Sequence, residues 1–154
     1  MALFNLMELR GMLMRGQRLI GLDLGTKVIG VALSDVSLLL ASPYGSLPRI
    51  RLRAIADAIM TIARKEGAGG LVVGLPLAMD GSVGPAAQAA RDWALALSEM
   101  AGLPAAMWDE RLSSVAVNRM LVEEADLGRK RRARVVDRAA AAWILQSALD
   151  ASRS

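Results

Sequence analysis

Three carboxylates stand where the sequence makes a carboxylate hard to explain. Asp23 interrupts the apolar run Leu19-Ile20-Gly21-Leu22-Asp23-Leu24. Glu110 follows the short run Pro104-Ala105-Ala106-Met107-Trp108-Asp109. Asp137 opens a final apolar segment, directly after Arg129-Lys130-Arg131-Arg132-Ala133-Arg134. An ionised group is costly to bury without a partner, and converging carboxylates repel one another unless cations join them. The chain has no His and no Cys, which removes the commonest general base, the usual soft-metal ligands and any disulfide or thiolate zinc site. A metal here must be held by oxygen, which favours magnesium or manganese. Three carboxylates without histidine fit a two-metal phosphodiesterase, whose cations sit roughly 3.5–4 Å apart and stabilise the attacking and leaving oxygens. Taken singly, each acid has a plainer role: Asp23 caps a turn, Glu110 pairs with Arg111, and Asp137 is a helix N-terminal charge favoured by the dipole. Taken together, beside a basic run, they favour chemistry.

The charge supports a polyanionic partner. The net charge is +4, and the run at 129–134 supplies five cations, so without it the chain would stand at −1. So concentrated a positive patch fits nucleic acid first; its bland alternative is a solvated loop that aids solubility. Hydrophobic residues make up 54% of 154 residues, enough for a real core in one domain and against disorder. No apolar run approaches the roughly 18 residues of a membrane span, and the expected setting is cytoplasmic.

The elements that must position these acids can be read from spacing. Arg18–Leu33 reads as two strands folded about Gly25-Thr26-Lys27, and a third strand ends before Pro48. Arg51–Glu66 has the spacing of an amphipathic helix, stopped at Gly67 and Gly69-Gly70. Leu71–Leu75 is a wholly apolar strand. Residues 76–84 form a loop, Pro85 opens a helix to about Met100, and Pro104–Trp108 is the last strand. A helix capped by Ser113 or Ser114 runs to about Glu124. The basic run is then a loop, and Val135 to about Ala151 a final helix. This order predicts an α/β fold: a mixed five-stranded sheet, three antiparallel strands plus two parallel, flanked by helices. Ligand sites in such sheets gather at strand ends beside helix starts, where the three acids can converge. Residues 1–16 are set apart as an N-terminal extension, flexible or reflecting a mis-assigned start among Met7, Met12 and Met14, and carry no expected function. The domain is then 17–154.

Four motifs in order carry a family resemblance. They are Gly21-x-Asp23-x-Gly25-Thr26-Lys27-x-x-Gly30-Val31-Ala32; Val73-Gly74-Leu75-Pro76-Leu77-x-Met79-Asp80-Gly81; Asp109-Glu110-Arg111-Leu112-Ser113; and Asp137 with Ala139, Ala140 and Leu145. Over about residues 17–150 the chain resembles the YqgF family, whose members look like RuvC-type Holliday junction resolvases with a ribonuclease H-like fold, and many of which are named for nuclease action on pre-16S rRNA. The resemblance implies that Asp23, Glu110 and Asp137 bind Mg²⁺ or Mn²⁺ and are catalytic. It implies in-line attack by water on a phosphodiester, leaving a 5′-phosphate and a 3′-hydroxyl. Thr26, Lys27, Arg111, Arg131, Arg132 and Arg134 are the expected phosphate-binding residues. Precursor rRNA is the favoured partner, with ribosomal particles beside it and four-way DNA as the alternative; both a monomer and a homodimer fit. Two departures stand out. Val135 occupies a position where many members have lysine, with Arg134 adjacent, and Ser113-Ser114-Val115-Ala116 is less polar than in many relatives.

Two other classes compete. Sugar kinases, actin and Hsp70-type ATPases use a similar Asp-x-Gly-Thr turn for ATP phosphates but need two such domains, which this length does not supply. The turn also lacks the Gly-Lys-Ser/Thr of a Walker A loop. A non-catalytic nucleic-acid-binding assembly factor is the other class, and the three intact carboxylates argue against it.

Overall fold

A computed structural model of the protein describes residues 3–76, 84–110 and 129–153, and in the last of these segments the side chains from Ala139 onward. Its strands are β1 (Leu3–Phe4), β2 (Arg18–Leu24), β3 (Val28–Ser34), β4 (Ala41–Pro48), β5 (Ala68–Leu75) and β6 (Ala105–Asp109). Its helices are α1 (Leu6–Met12), α2 (Leu52–Glu66), α3 (Pro85–Ala101) and α4 (Arg129–Ala151). The strands form one sheet in the order β1-β6-β5-β2-β3-β4. The β2–β3 and β3–β4 pairs are antiparallel, whereas β5 pairs with β2, β6 with β5 and β1 with β6 in parallel.

Strand alternation divides the core into two layers. Ile20 and Leu22 of β2, with Leu71 and Val73 of β5, face α2 and α3 and pack with Ile55, Ile59, Ala94 and Leu97. Leu19 of β2, Ala32 of β3, Val72 of β5 and Ala106 of β6 face α1 and α4, packing with Leu9, Ala141, Ile144, Leu145 and Leu149. Glycines in the left-handed region end α2 and α3: Gly67 at φ 70° and Gly102 at φ 68°. Pro85 opens α3 in the first turn, as expected.

The sheet differs from the expected one at its edge. It has six strands rather than five, because the segment set apart as a loose extension adds β1, pairing Leu3 with Ala105 and Phe4 with Ala106. Asn5 then starts α1 with a reciprocal capping box: its side chain accepts from Glu8 N at 2.8 Å, and its own N–H donates to Glu8 Oε1 at 3.1 Å. Leu6 and Leu9 are buried beneath the helix. Arg10 Nη1 donates to Ser152 Oγ at 2.9 Å, tying α1 to the end of α4. The Gly11 penalty is outweighed by this burial and by the cap.

A second correction concerns the basic run. Residues 129–134 are not a loop but the first turns of α4. Arg, Lys and Ala are all good helix formers, so local propensity already favours helix there. The strand after α2 also starts earlier than its apolar run, since Gly69 and Gly70 lie inside β5. The expected helix capped by Ser113 or Ser114 lies outside the described residues, as does most of the loop between β5 and α3. Among the described residues no helix is long and apolar enough to cross a membrane.

Candidate active site

The end of β2 places the first acid. Asp23 lies on the same face as Leu19 and Gly21, pairs with Gly30 across the ladder to β3, and is fully buried. Two residues on, Gly25 begins the turn to β3 by donating its N–H to the Asp23 carbonyl at 3.1 Å. Thr26 and Lys27 are exposed at the tip.

The second acid reaches the same face across β5. Leu22 pairs with Val73, so the next residue, Gly74, continues the row beside Asp23, one strand spacing of about 4.8 Å away. On its other side Gly74 pairs with Trp108 of β6. Glu110, just past β6, folds back over that glycine. A Cβ built at Gly74 would lie 2.8 Å from Glu110 Oε1, 3.2 Å from Glu110 Cγ and 2.7 Å from Ile144 Cδ1. Gly74 is therefore a cradle: its missing side chain makes room for the Glu110 carboxylate beside the Asp23 strand, with Ile144 of α4 closing the space.

The third acid is carried by α4, whose direction is fixed by its contacts. Ser152 and the Leu149 carbonyl meet Arg10, and Gln146 Oε1 accepts from the N–H of Ala41, the first residue of β4, at 2.8 Å. Further up the helix, a Cβ at Gly21 would lie 2.8 Å from Leu145 Cβ and 3.1 Å from the Ala141 carbonyl oxygen. Falling numbers along α4 thus follow rising numbers along β2. From Ala141 to position 137 is one turn, about 6 Å; from Gly21 to Asp23 is about 6.6 Å. Position 137 therefore lies farther along α4 in the direction in which β2 runs from Gly21 toward Asp23. The Asp137 side chain lies outside the described residues, as do Arg111 and the side chains of Arg131, Arg132 and Arg134. Among the described residues alone no three acids form a metal-holding group.

Two features escaped the sequence reading. Gly74 was legible only as part of a motif, because its partner Glu110 is 36 residues away and the register decides what stands above it. Arg49, just after β4, holds the β2–β3 turn: its N–H donates to the Lys27 carbonyl at 2.9 Å and its Nη1 to the Gly25 carbonyl at 2.9 Å. No local pattern marks it.

A family profile, "RuvX: Holliday junction resolvase", matches residues 17–151. The chain belongs to the RuvX family. This is the YqgF family of the sequence resemblance. A protein of Gluconacetobacter diazotrophicus is 66% identical over 152 residues, covering 99% of both chains, and one of Acidiphilium cryptum is 61% identical over 150 residues, covering 97% of this chain and 94% of that one. Both bear the name "Putative pre-16S rRNA nuclease". In three dimensions the chain is similar to Thermus thermophilus RuvC in complex with a Holliday junction substrate, with a TM-score of 0.53 at 17% identity, covering 88% of this chain and 94% of that one. At that identity the likeness speaks for the fold, which is ribonuclease H-like as expected.

Proposed function

We propose that this RuvX-family chain is a metal-dependent endonuclease that hydrolyses phosphodiester bonds and matures the 5′ end of pre-16S rRNA. The observation that carries the reading is the Glu110 carboxylate seated over Gly74, in the row of the fully buried Asp23. Two oxygen donors at one strand end, one withdrawn from water, are a set that hard dications fit and that no soft metal would choose. Asp23, Glu110 and Asp137 are the proposed ligands of Mg²⁺ or Mn²⁺. When bound, such an ion supplies charge neutralisation at the phosphate and a more acidic attacking water.

The protein's own groups do the rest. Burial fixes the rotamer of Asp23, and Gly74 fixes how low Glu110 can sit, so the acidic cluster is rigid before substrate arrives. Thr26 and Lys27, exposed on the turn that follows Asp23, steady a phosphate beside the scissile bond. Arg111 orients Glu110 or holds phosphate. Arg131, Arg132 and Arg134 add backbone contacts that carry affinity without sequence selectivity. The nuclease unit is residues 17–154, with β1 extending one edge of its sheet and α1 packed on the face that α4 covers, and it works in the cytoplasm on precursor particles.

The near full-length relatives at 66% and 61% identity favour precursor rRNA. The family's description and the RuvC-like fold support four-way DNA as the second reading; a junction resolvase would act as a symmetric dimer with two sites. One assay separates them. Labelled precursor rRNA and a synthetic four-way DNA junction are incubated with wild-type protein and Asp137→Asn, with magnesium, manganese or chelator. Metal-dependent cutting of RNA alone, lost in the variant, is the expected result. Cutting of the junction alone replaces the substrate. Salt-sensitive binding with no cutting of either overturns the nuclease reading in favour of an assembly factor.

A further inference from the structure

The basic run of α4 is not the only group of cations in the chain. Arg49 is bonded to the turn that carries Lys27, and Arg51 and Arg53 follow it in sequence at the same end of the sheet. The link is direct: Arg49 leaves β4 beside Val28, which pairs with Pro48, and its backbone and guanidinium both bond to the β2–β3 turn, at the Lys27 and Gly25 carbonyls. Arg51 and Arg53 follow where the chain enters α2. All four side chains are exposed. Ion pairs among the described residues join Arg18 to Glu66 and Arg153 to Asp150, and none involves these four.

Apart from the bonds of Arg49 to the turn, no contact among the described residues accounts for this cluster. Arg51 stands at the N-cap of α2 without a side-chain cap bond, and the first turn of the helix holds no acid, so these cations oppose the helix dipole instead of complementing it. Asp57 follows Arg53 by one helical turn but no ion pair joins them among the described residues, and positive charge so grouped repels itself and is relieved by a polyanion. Arg49 spends only part of its fork on the turn, since a guanidinium carries five N–H donors and one Nη1 bond is made to Gly25.

We propose that Arg49, Arg51 and Arg53, with Lys27, form a second phosphate-binding track for the nucleic-acid strand, on the β4–α2 side of the acidic cluster. This rests on the nuclease reading for the identity of the strand. The track begins at the turn that carries Lys27, so a strand leaving Asp23 on that side meets Arg49 first and then Arg51 and Arg53. Its contacts are to phosphates, sequence-blind and salt-sensitive.

The test uses Arg51→Ala/Arg53→Ala in the full chain, because neither side chain holds the turn, and Arg51→Gln/Arg53→Gln as a second variant that keeps side-chain length. Binding is measured in chelator, where nothing is cut, on a fluorescein-labelled 30-nucleotide single-stranded RNA and on a four-way DNA junction, across 50–200 mM KCl. Losing two phosphate contacts lowers the slope of log K against log salt by about 1.4 on single strands. The wild-type advantage over the variant therefore shrinks about sevenfold across that range. Wild-type slope in both variants, with an unchanged melting temperature, overturns the track. Metal-dependent cleavage by the wild-type protein is scored separately, so a failed track and a failed nuclease reading give different results. If the protein binds but does not cut, the slope difference still decides the track.

Discussion

Gly74→Ala is the sharpest probe of the candidate site, because the structure fixes both the direction and the size of the disturbance. The added methyl would lie 2.8 Å from Glu110 Oε1 and 2.7 Å from Ile144 Cδ1, where ordinary contact begins at 3.4 Å. Both are ends of side chains, so they yield rather than the backbone: Glu110 must retreat by about 0.6 Å to reach ordinary contact. Overpacking of this kind costs about 1–3 kcal/mol, with about 2–4 °C lost from Tm per kcal/mol at this size. A catalytic group displaced by about 1 Å can cost 100-fold, so 0.6 Å is expected to cost roughly tenfold in kcat. The assay is single-turnover cleavage at saturating RNA over a magnesium titration, where the variant should be slower and need more metal. Gly21→Ala is the control. There the new methyl meets Leu145 Cβ and the Ala141 backbone carbonyl, which cannot swing aside, so α4 itself must shift and stability should fall further. Wild-type kcat and metal demand in a folded Gly74→Ala protein would refute the role given to Glu110.

Three further outcomes are expected. Asp23→Asn removes a fully buried charge from the acidic row, so without metal its Tm should equal or exceed wild type, whereas magnesium, worth about 2.7 kcal/mol at 100 times Kd, should no longer raise it; a preserved magnesium shift would count against Asp23 as a ligand. Leu9→Ala empties a fully buried position under α1 and should cost about 2–5 kcal/mol in urea unfolding, whereas a loose N-terminal segment would cost nothing. In the β3–β4 loop, Asp35 accepts from Leu40 N at 3.1 Å and Leu39 N at 2.8 Å, and these bonds, Leu40's foremost, hold its carboxyl below the usual 3.8. A lowered folded value means its stabilisation is present above 3.8 and lost as pH falls through that lower value. Asp35→Asn should therefore lower Tm slightly at neutral pH, leave the most acidic end nearly unchanged, and so flatten the acidic part of the Tm-versus-pH curve.

What could be read in advance followed from local rules. The apolar period of α2, the buried run of β5 and the glycine turn after Asp23 each announce themselves within a few residues, and so do the parallel and antiparallel pairings that follow from connection length. The acids at 23 and 110 could be singled out because each breaks an apolar context. What stayed hidden depends on distant partners. Leu3 and Phe4 become a strand only because the β6 edge offers ladder groups at Ala105 and Ala106, and a two-residue strand has no period of its own. The cradle at Gly74 needs the β5–β6 register to bring Glu110 above it. The basic run has the charge of a solvated loop, yet its helix propensity, continuous with the apolar stripe that follows, makes it the start of one long helix.

The close seat of α4 on Gly21 also sets an order of events during synthesis. Every strand is made before α4, yet the sheet face bearing Leu19, Val72 and Ala106 is closed largely by that helix, through partners such as Ala41 and Gln146 that are 105 residues apart. Such distant contacts form late, because the loop between them must first be closed. The helix that seals this face also bears Asp137, so a nascent chain still lacking α4 exposes a bare apolar surface and lacks one of the three proposed metal ligands. Folding to completion and competence to cut RNA would then arrive in one step, which keeps a half-made nuclease inert beside the ribosome that is making it.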